Sequence, residues 1–132
     1  MMTYRMGEAA DLLGVSVDTV RRWIDAGRLA AERDEHGHRT IGGADLAGFA
    51  RSLSDDPDPG TRRSSARNRL RGIVTAITKD AVMAQVDIQA GPFRVVSLMS
   101  SEAVEELGLE VGSTATAVIK STTVVVERGD DA

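Results

Sequence analysis

The 132-residue sequence contains no cysteine. Disulfides, thiolate metal sites and thiol nucleophiles are thereby excluded. This is compatible with a reducing compartment, and a cytoplasmic location is the expectation. Aromatic residues make up only 3% of the chain, so any core must be filled by Val, Leu, Ile and Ala. Long hydrophobic runs are missing as well. No stretch approaches the roughly 20 apolar residues of a membrane span, and Met1–Met6 lacks the charged-then-apolar order of a signal peptide. No membrane partner is expected. Excess positive charge is lacking too: the formal net charge is −4 and the pI is near 5.1, which argues against a general polyanion binder. No nucleophile–base pair, catalytic metal set or nucleotide-binding loop stands out, so no enzyme is expected. His36 and His38 are the two histidines; without further ligands nearby they give no cation site.

What is present is unevenly distributed. Residues 7–53 are expected to be mostly helical. Ala9, Leu12 and Leu13 recur at helical spacing before Gly14 interrupts them. Ser16 is placed to cap a second helix carrying Val17, Val20 and Ile24 on one side, with Trp23 beside them, and Gly27 closes it. His36-Gly37-His38 marks a hairpin tip. Leu46, Phe49, Ala50 and Leu53 mark a third helix. Residues 54–64 hold Asp55, Asp56, Pro57, Asp58, Pro59 and Gly60 without apolar periodicity, a flexible-linker composition. From Ser54 to Arg71 five arginines face three aspartates, so any polyanion affinity has to come from locally placed arginines and not from bulk charge.

From Ser65 the pattern shifts to short strands: residues 70–78, residues 81–88 with Val82, Ala84, Val86 and Ile88 on one face, and residues 93–98. Lys79-Asp80 forms the first tight turn. A short helix spans 101–107, with serines at its start and Gly108 at its end. Two more strands are expected over 113–120 and 122–127. The fold class is therefore α+β: a mostly helical N-terminal domain (1–53), a linker (54–64), a small five-stranded OB-like Greek-key barrel with one short helix (65–128), and a frayed tail (129–132).

Residues 7–29 have the spacing of a helix-turn-helix. Beyond its apolar side, the second helix presents Asp18, Thr19, Arg21, Arg22 and Asp25. Arginine is the commonest reader of guanine, through a fork matching O6 and N7. Adjacent arginines point about 100° apart on a helix, so one of Arg21 and Arg22 reads a base and the other clamps phosphate. Residues 9–16, Thr19-Val20-Arg21-Arg22-Trp23, Gly27-Arg28-Leu29 and Gly37-His38-Arg39 together resemble the DNA-binding half of MerR-type and excisionase-type winged helix-turn-helix proteins, over Tyr4 to about Leu53. That resemblance implies a wing carrying Arg39 and His38 near the DNA backbone. The candidate DNA-binding residues are thus Ser16, Thr19, Arg21, Arg22, His38 and Arg39. Trp23 is assigned to core packing.

Three segments of the β module carry anion-binding chemistry: Ser65-Ala66-Arg67-Asn68, Ser100-Ser101 at the short helix start, and Lys120-Ser121 between the last two strands. Arg and Lys supply charge, while hydroxyls and helix-start amides supply directed donors. Their order, with Leu107-Gly108-Leu109 between them, is similar to the Mop (molybdate/molybdopterin-binding, TOBE-type) domain, over Ser65 to about Arg128. The resemblance implies a molybdate or tungstate site made of Ser65, Arg67, Ser100, Ser101, Lys120 and Ser121. It also implies a homo-oligomer, a dimer at minimum with a hexamer built as a trimer of dimers permitted, with the oxyanion between subunits. The sequence departs from the family at Ala103, where a hydroxyl is expected. The combined expectation is a molybdate-responsive transcription regulator that binds double-stranded DNA. The rivals are a molybdate storage or buffering protein, and an excisionase-like architectural protein whose β module serves only to oligomerise.

Overall fold

The computed structural model describes residues 2–54 and 59–129; Asp55-Asp56-Pro57-Asp58 of the expected linker and residues 130–132 of the expected tail lie outside them. The chain divides into two compact units, with the boundary after Asp56. Among the described residues no helix is long and apolar enough to cross a membrane.

The first unit runs β1 (Thr3–Arg5), α1 (Met6–Leu13), α2 (Val17–Asp25), β2 (Glu32–Arg33), β3 (Arg39–Gly42) and α3 (Gly43–Leu53). Helix α1 opens at Arg5, whose N–H donates to the Glu8 carboxylate at 3.0 Å. It ends at Gly14 in the left-handed conformation, φ 69°, which lets the chain reverse into α2 within three residues. Ser16 caps α2 by accepting from the Thr19 N–H at 3.1 Å. The three short strands pair antiparallel in the order β1-β3-β2. Their core is Ala9, Ala10, Val20, Leu29, Ile41, Leu46 and Phe49. Trp23 lies 4.9 Å from Phe49 between ring centroids, a packing contact that extends this small aromatic-poor core.

Three apolar positions expected to pack turn outward: Leu12, Val17 and Leu53 are exposed. Helical spacing defines a stripe but not its width. With a core this small, the residues at the stripe's margins stay in water.

The second unit begins with a 3₁₀ turn at Pro59–Arg62, inside the segment whose composition gave no regular structure. It continues as β4 (Asn68–Lys79), β5 (Met83–Ala90), β6 (Phe93–Ser100), α4 (Ser101–Leu107) and β7 (Thr114–Ile119). The sheet is antiparallel, order β6-β5-β4-β7. Strand β4 is shared: Asn68 to Ile73 pair with β7, and Ile73 to Lys79 pair with β5, with a register shift between Val74 and Ala76. Such a shift bends and coils a strand. Val74, Ala84, Val86, Ile88 and Val104 form the core, so α4 seals the concave side.

Two expectations are corrected. Val82 does not continue the inward face of β5; it is 70% exposed. The Asp80 carboxylate accepts from the N–H groups of Met83 and Val82, both at 2.8 Å, so the turn extends through Val82 and β5 starts one residue later. The amides, Met83 first, hold the Asp80 carboxyl below the usual carboxylate range. The second correction is the fifth strand. Residues 122–127 form no ladder: Ser121–Thr123 is a 3₁₀ turn, and Val125 and Val126 beyond it are exposed. The β-branched run specifies extended backbone, which Val124 adopts (φ −82°, ψ 119°), but propensity does not supply a partner edge.

Gly72 sits where β4 passes from β7 to β5. A Cβ there would collide with the Gln89 carbonyl and come within 2.8 Å of Ile88 Cγ2. Gly72→Ala is expected to destabilise the protein by about 1–3 kcal/mol through this overpacking, read as a lower denaturation midpoint. An unchanged midpoint would contradict the described crossing.

Candidate functional site

The outer side of α2 is defined by what the inner side buries. Val20 is fully buried and Trp23 and Ile24 are half-buried, while Asp18, Arg21, Arg22 and Asp25 are exposed. Arg21 Nη1 pairs with Asp18 Oδ1 at 2.9 Å. Arg22 donates a long 3.4 Å bond to Thr19 Oγ1, which also bonds Ser16 Oγ at 2.9 Å. Ser16 and Thr19 are therefore partly spent on the cap and on Arg22.

The hairpin β2–β3 follows α2. At its tip the Asp34 carboxylate accepts from the N–H groups of His36 and His38, both at 2.9 Å, and Gly37 takes φ 81°. The His38 amide above all holds the Asp34 carboxyl below its ordinary range. Arg33 donates to the Gly37 carbonyl at 2.6 Å and closes the loop from outside. His38 is exposed there. Arg39 is not: its Nη1 is 2.9 Å from Asp25 Oδ1, off the line of a hydrogen bond, with the side chain only 26% exposed. It fastens the base of the hairpin to the end of α2. Sequence reasoning missed both pairs; for Asp18–Arg21 the available signal was the spacing of three on one helix face, whereas Asp25–Arg39 joins a helix to a hairpin and left no local signal.

The anion-site candidates fall at two places on the second unit. Ser65 and Arg67 precede β4, and Lys120 and Ser121 follow β7. The pairing of Asn68 with Ile119 puts these segments side by side, and the Asn68 amide fastens them by donating to the Ile119 carbonyl at 3.1 Å. Ser65, Arg67, Lys120 and Ser121 are all exposed. Ser100 and Ser101 lie at the other end of β4: Ser100 pairs with Met83, and Ala84 next to it pairs with Lys79. The register thus places the two groups at opposite ends of β4, which bends at its register shift.

The adjacent serines differ. Ser100 caps α4, its exposed Oγ accepting from the Ala103 N–H at 3.0 Å, and its own hydrogen remains to be donated. Ser101 is buried; its hydroxyl lies 2.7 Å from the Asp80 carbonyl and 3.0 Å from that of Met83, and its N–H donates to Val82. Ser101 thus secures the β4–β5 turn. At position 103, where the family hydroxyl is missing, the backbone N–H is committed to the cap.

The TOBE domain model matches residues 64–126, and the model of the MerR family regulatory protein matches residues 5–41. Molybdenum-pterin-binding protein 3 of Clostridium pasteurianum is 46% identical over 63 residues, 47% of this chain and 93% of that protein. The chain belongs to the TOBE-domain family of molybdenum-pterin-binding proteins. The molybdenum transport protein ModE of Herbaspirillum seropedicae is 38% identical over 82 residues, 61% of this chain and 28% of that protein. A solved structure of MopII from Clostridium pasteurianum overlaps 49% of this chain and 98% of its own, at 42% identity and TM-score 0.47.

One polar group in the TOBE domain escaped sequence reasoning. Asp87 interrupts the apolar run of β5 and is buried, accepting from Arg94 Nε at 2.7 Å and Gln85 Nε2 at 3.1 Å. The Arg94 guanidinium first, then Gln85, lowers its pKa. A carboxylate with a lowered folded pKa adds stability above its unfolded pKa and loses it as pH falls through the folded value. Stability of the wild type is therefore expected to drop more steeply below about pH 4 than that of Asp87→Asn. Equal slopes in acid denaturation would show that the pair contributes nothing.

Proposed function

We propose that this protein is a molybdate-responsive DNA-binding regulator. The observation that carries the reading is the union, in one chain, of a MerR-type segment and a TOBE domain. On this reading α2 enters the major groove, the β2–β3 hairpin acts as a wing with His38 at the backbone, and Arg39 works by holding wing to helix. The relatives' descriptions supply the ligand class, and tungstate has the same shape and charge.

The site is completed between copies. Arg67 and Lys120 of one chain balance the two charges of the oxyanion, with Ser65 and Ser121 donating to its oxygens; the helix start at Ser100 of another copy supplies the opposite side. Their separation along β4 supports this division. So does the open sheet: strands β6 and β7 are both edges, and an apolar cleft of 480 Å³ lined by Val95, Met99, Leu109, Ala115, Ala117 and Ile119 lies between them. A half-barrel with two free edges and exposed Val124, Val125 and Val126 is an adhesive state. Pairing of residues 124–127 with an edge of a second copy supplies the fifth strand. Light scattering is expected to give a dimer or larger; a strict monomer at micromolar protein, with and without molybdate, would contradict this.

Sulfate carries the same charge in a smaller ion, so a site fitted to molybdate leaves donors stretched, each forfeiting of order 1 kcal/mol. Lys120→Ala is expected to lower molybdate affinity markedly, with ligand-free DNA binding intact. Ser101→Ala is expected to lower stability instead. Calorimetry giving equal affinity for wild type and Lys120→Ala, or for molybdate and sulfate, would overturn the proposed site.

A further inference from the structure

We propose that Arg22, not Arg21, is the base-reading arginine of α2, and that Asp18 and Asp25 set the fidelity of reading by holding the flanking arginines, Arg21 and Arg39, away from indiscriminate phosphate contact. The inference rests on the DNA-binding reading above and assigns roles within that face.

Direction comes first. At about 100° per residue, Arg22 lies about 200° around α2 from the fully buried Val20, on the far side from the core, whereas Arg21 lies on the flank. Asp18 lies between the two, about 160° from Val20. The side chain aimed furthest from the core is the one that enters a groove deepest.

Pairing points the same way. The two carboxylates on this face each hold an arginine at 2.9 Å: Asp18 holds Arg21, and Asp25 holds Arg39. Among the described residues Arg22 has no carboxylate partner, only the 3.4 Å bond to the neutral Thr19 hydroxyl. A reading arginine must turn two parallel N–H groups to guanine O6 and N7. Arg22 gives up a weak neutral bond to do so, whereas Arg21 would exchange a charged acceptor for a neutral one. The Ser16–Thr19 hydroxyl pair at the base of Arg22 also limits its rotamers before contact, reducing the entropy lost on binding.

The carboxylates then acquire a role of their own. A negative group on a surface facing a polyanion repels phosphate in every register. Where Arg22 turns into the groove its guanidinium lies beside Asp18 and offsets the repulsion, whereas on other sequences the carboxylate meets phosphate unrelieved, so the cost is larger off the cognate site and discrimination rises as average affinity falls. The acidic pI of the chain agrees with a binder that does not rely on bulk attraction.

The test uses the full-length protein and a randomised double-stranded DNA library. The duplex enriched by wild type is compared with a scrambled duplex of equal composition. Arg22→Ala is expected to lose the preference at one base pair and to weaken binding to the enriched duplex roughly 10- to 100-fold, with far less effect on the scrambled one. Arg21→Ala is expected to keep the preferred sequence and change both duplexes by similar factors. Asp18→Asn is expected to raise scrambled binding more than enriched binding, narrowing their ratio. Far-ultraviolet circular dichroism establishes that each variant retains its helices. If Arg22→Ala, so folded, enriches the wild-type sequence, or Arg21→Ala loses it, the assignment is overturned while DNA binding stands. If wild type enriches no sequence at all, the DNA-binding reading falls and this inference with it.

Discussion

The second unit depends on one strand serving two partners. Strand β4 gives its first half to β7 and its second half to β5, and it must bend to do both. The bend falls at Gly72 and the register shift after Val74, where a side chain or an unbroken ladder would keep the sheet flat. Two consequences follow from this sharing. The sheet curls around Val74, Val86 and Val104 into a half-barrel whose outer strands, β6 and β7, have no partner on their far sides among the described residues. The residues before β4 and after β7 also fall at the opposite end of β4 from those at the start of α4. A small core, an open barrel and candidate anion-site residues at opposite ends of one strand are therefore three aspects of one topology, and the proposed association of copies would answer all three at once.

The first unit solves a different problem with similarly few residues. It holds three of the chain's four aromatic residues: Trp23 from the inner side of α2 packs tilted against Phe49 of α3, and the Arg28 guanidinium lies 5.8 Å from the Phe49 ring centroid. That contact ties α2 to α3, while Arg39 ties it to the hairpin through Asp25. The helix that carries the candidate DNA-facing residues is thus braced from both sides. Bracing matters for recognition because a reading side chain is only as well placed as its backbone.

Much of this was legible in the residues. Gly14 and Ser16 announced the turn between α1 and α2, the His36-Gly37-His38 run announced the hairpin tip, and the serines before residue 101 with Gly108 after residue 107 bracketed α4. These are local signals, in which one residue type satisfies a backbone need within a few positions. What stayed hidden depends on distant partners. Ser100 and Ser101 look alike in sequence, yet one caps a helix at the surface and the other bonds two turn carbonyls in the interior. The valines 124–126 look like a strand because their side chains favour extended backbone, but among the described residues they pair with neither open edge of their own sheet. Arg21 and Arg22 likewise became distinguishable only when Asp18 was seen to take the first.

The central claim is that one copy holds half of an anion site. Mixing two variants, each damaged in a different half, tests it directly. Lys120→Ala removes a charge from the β4–β7 side. Ser100→Asp keeps a capping oxygen at α4 but puts a negative charge where the anion should sit. Each alone is predicted to bind molybdate poorly. Unfolded together and refolded at equal amounts, they are predicted to regain wild-type-affinity sites at about a quarter of the total, because half the dimers are mixed and each mixed dimer holds one intact site. Calorimetry showing no such recovery in mixtures that do form mixed oligomers would mean that each site is built within a single chain.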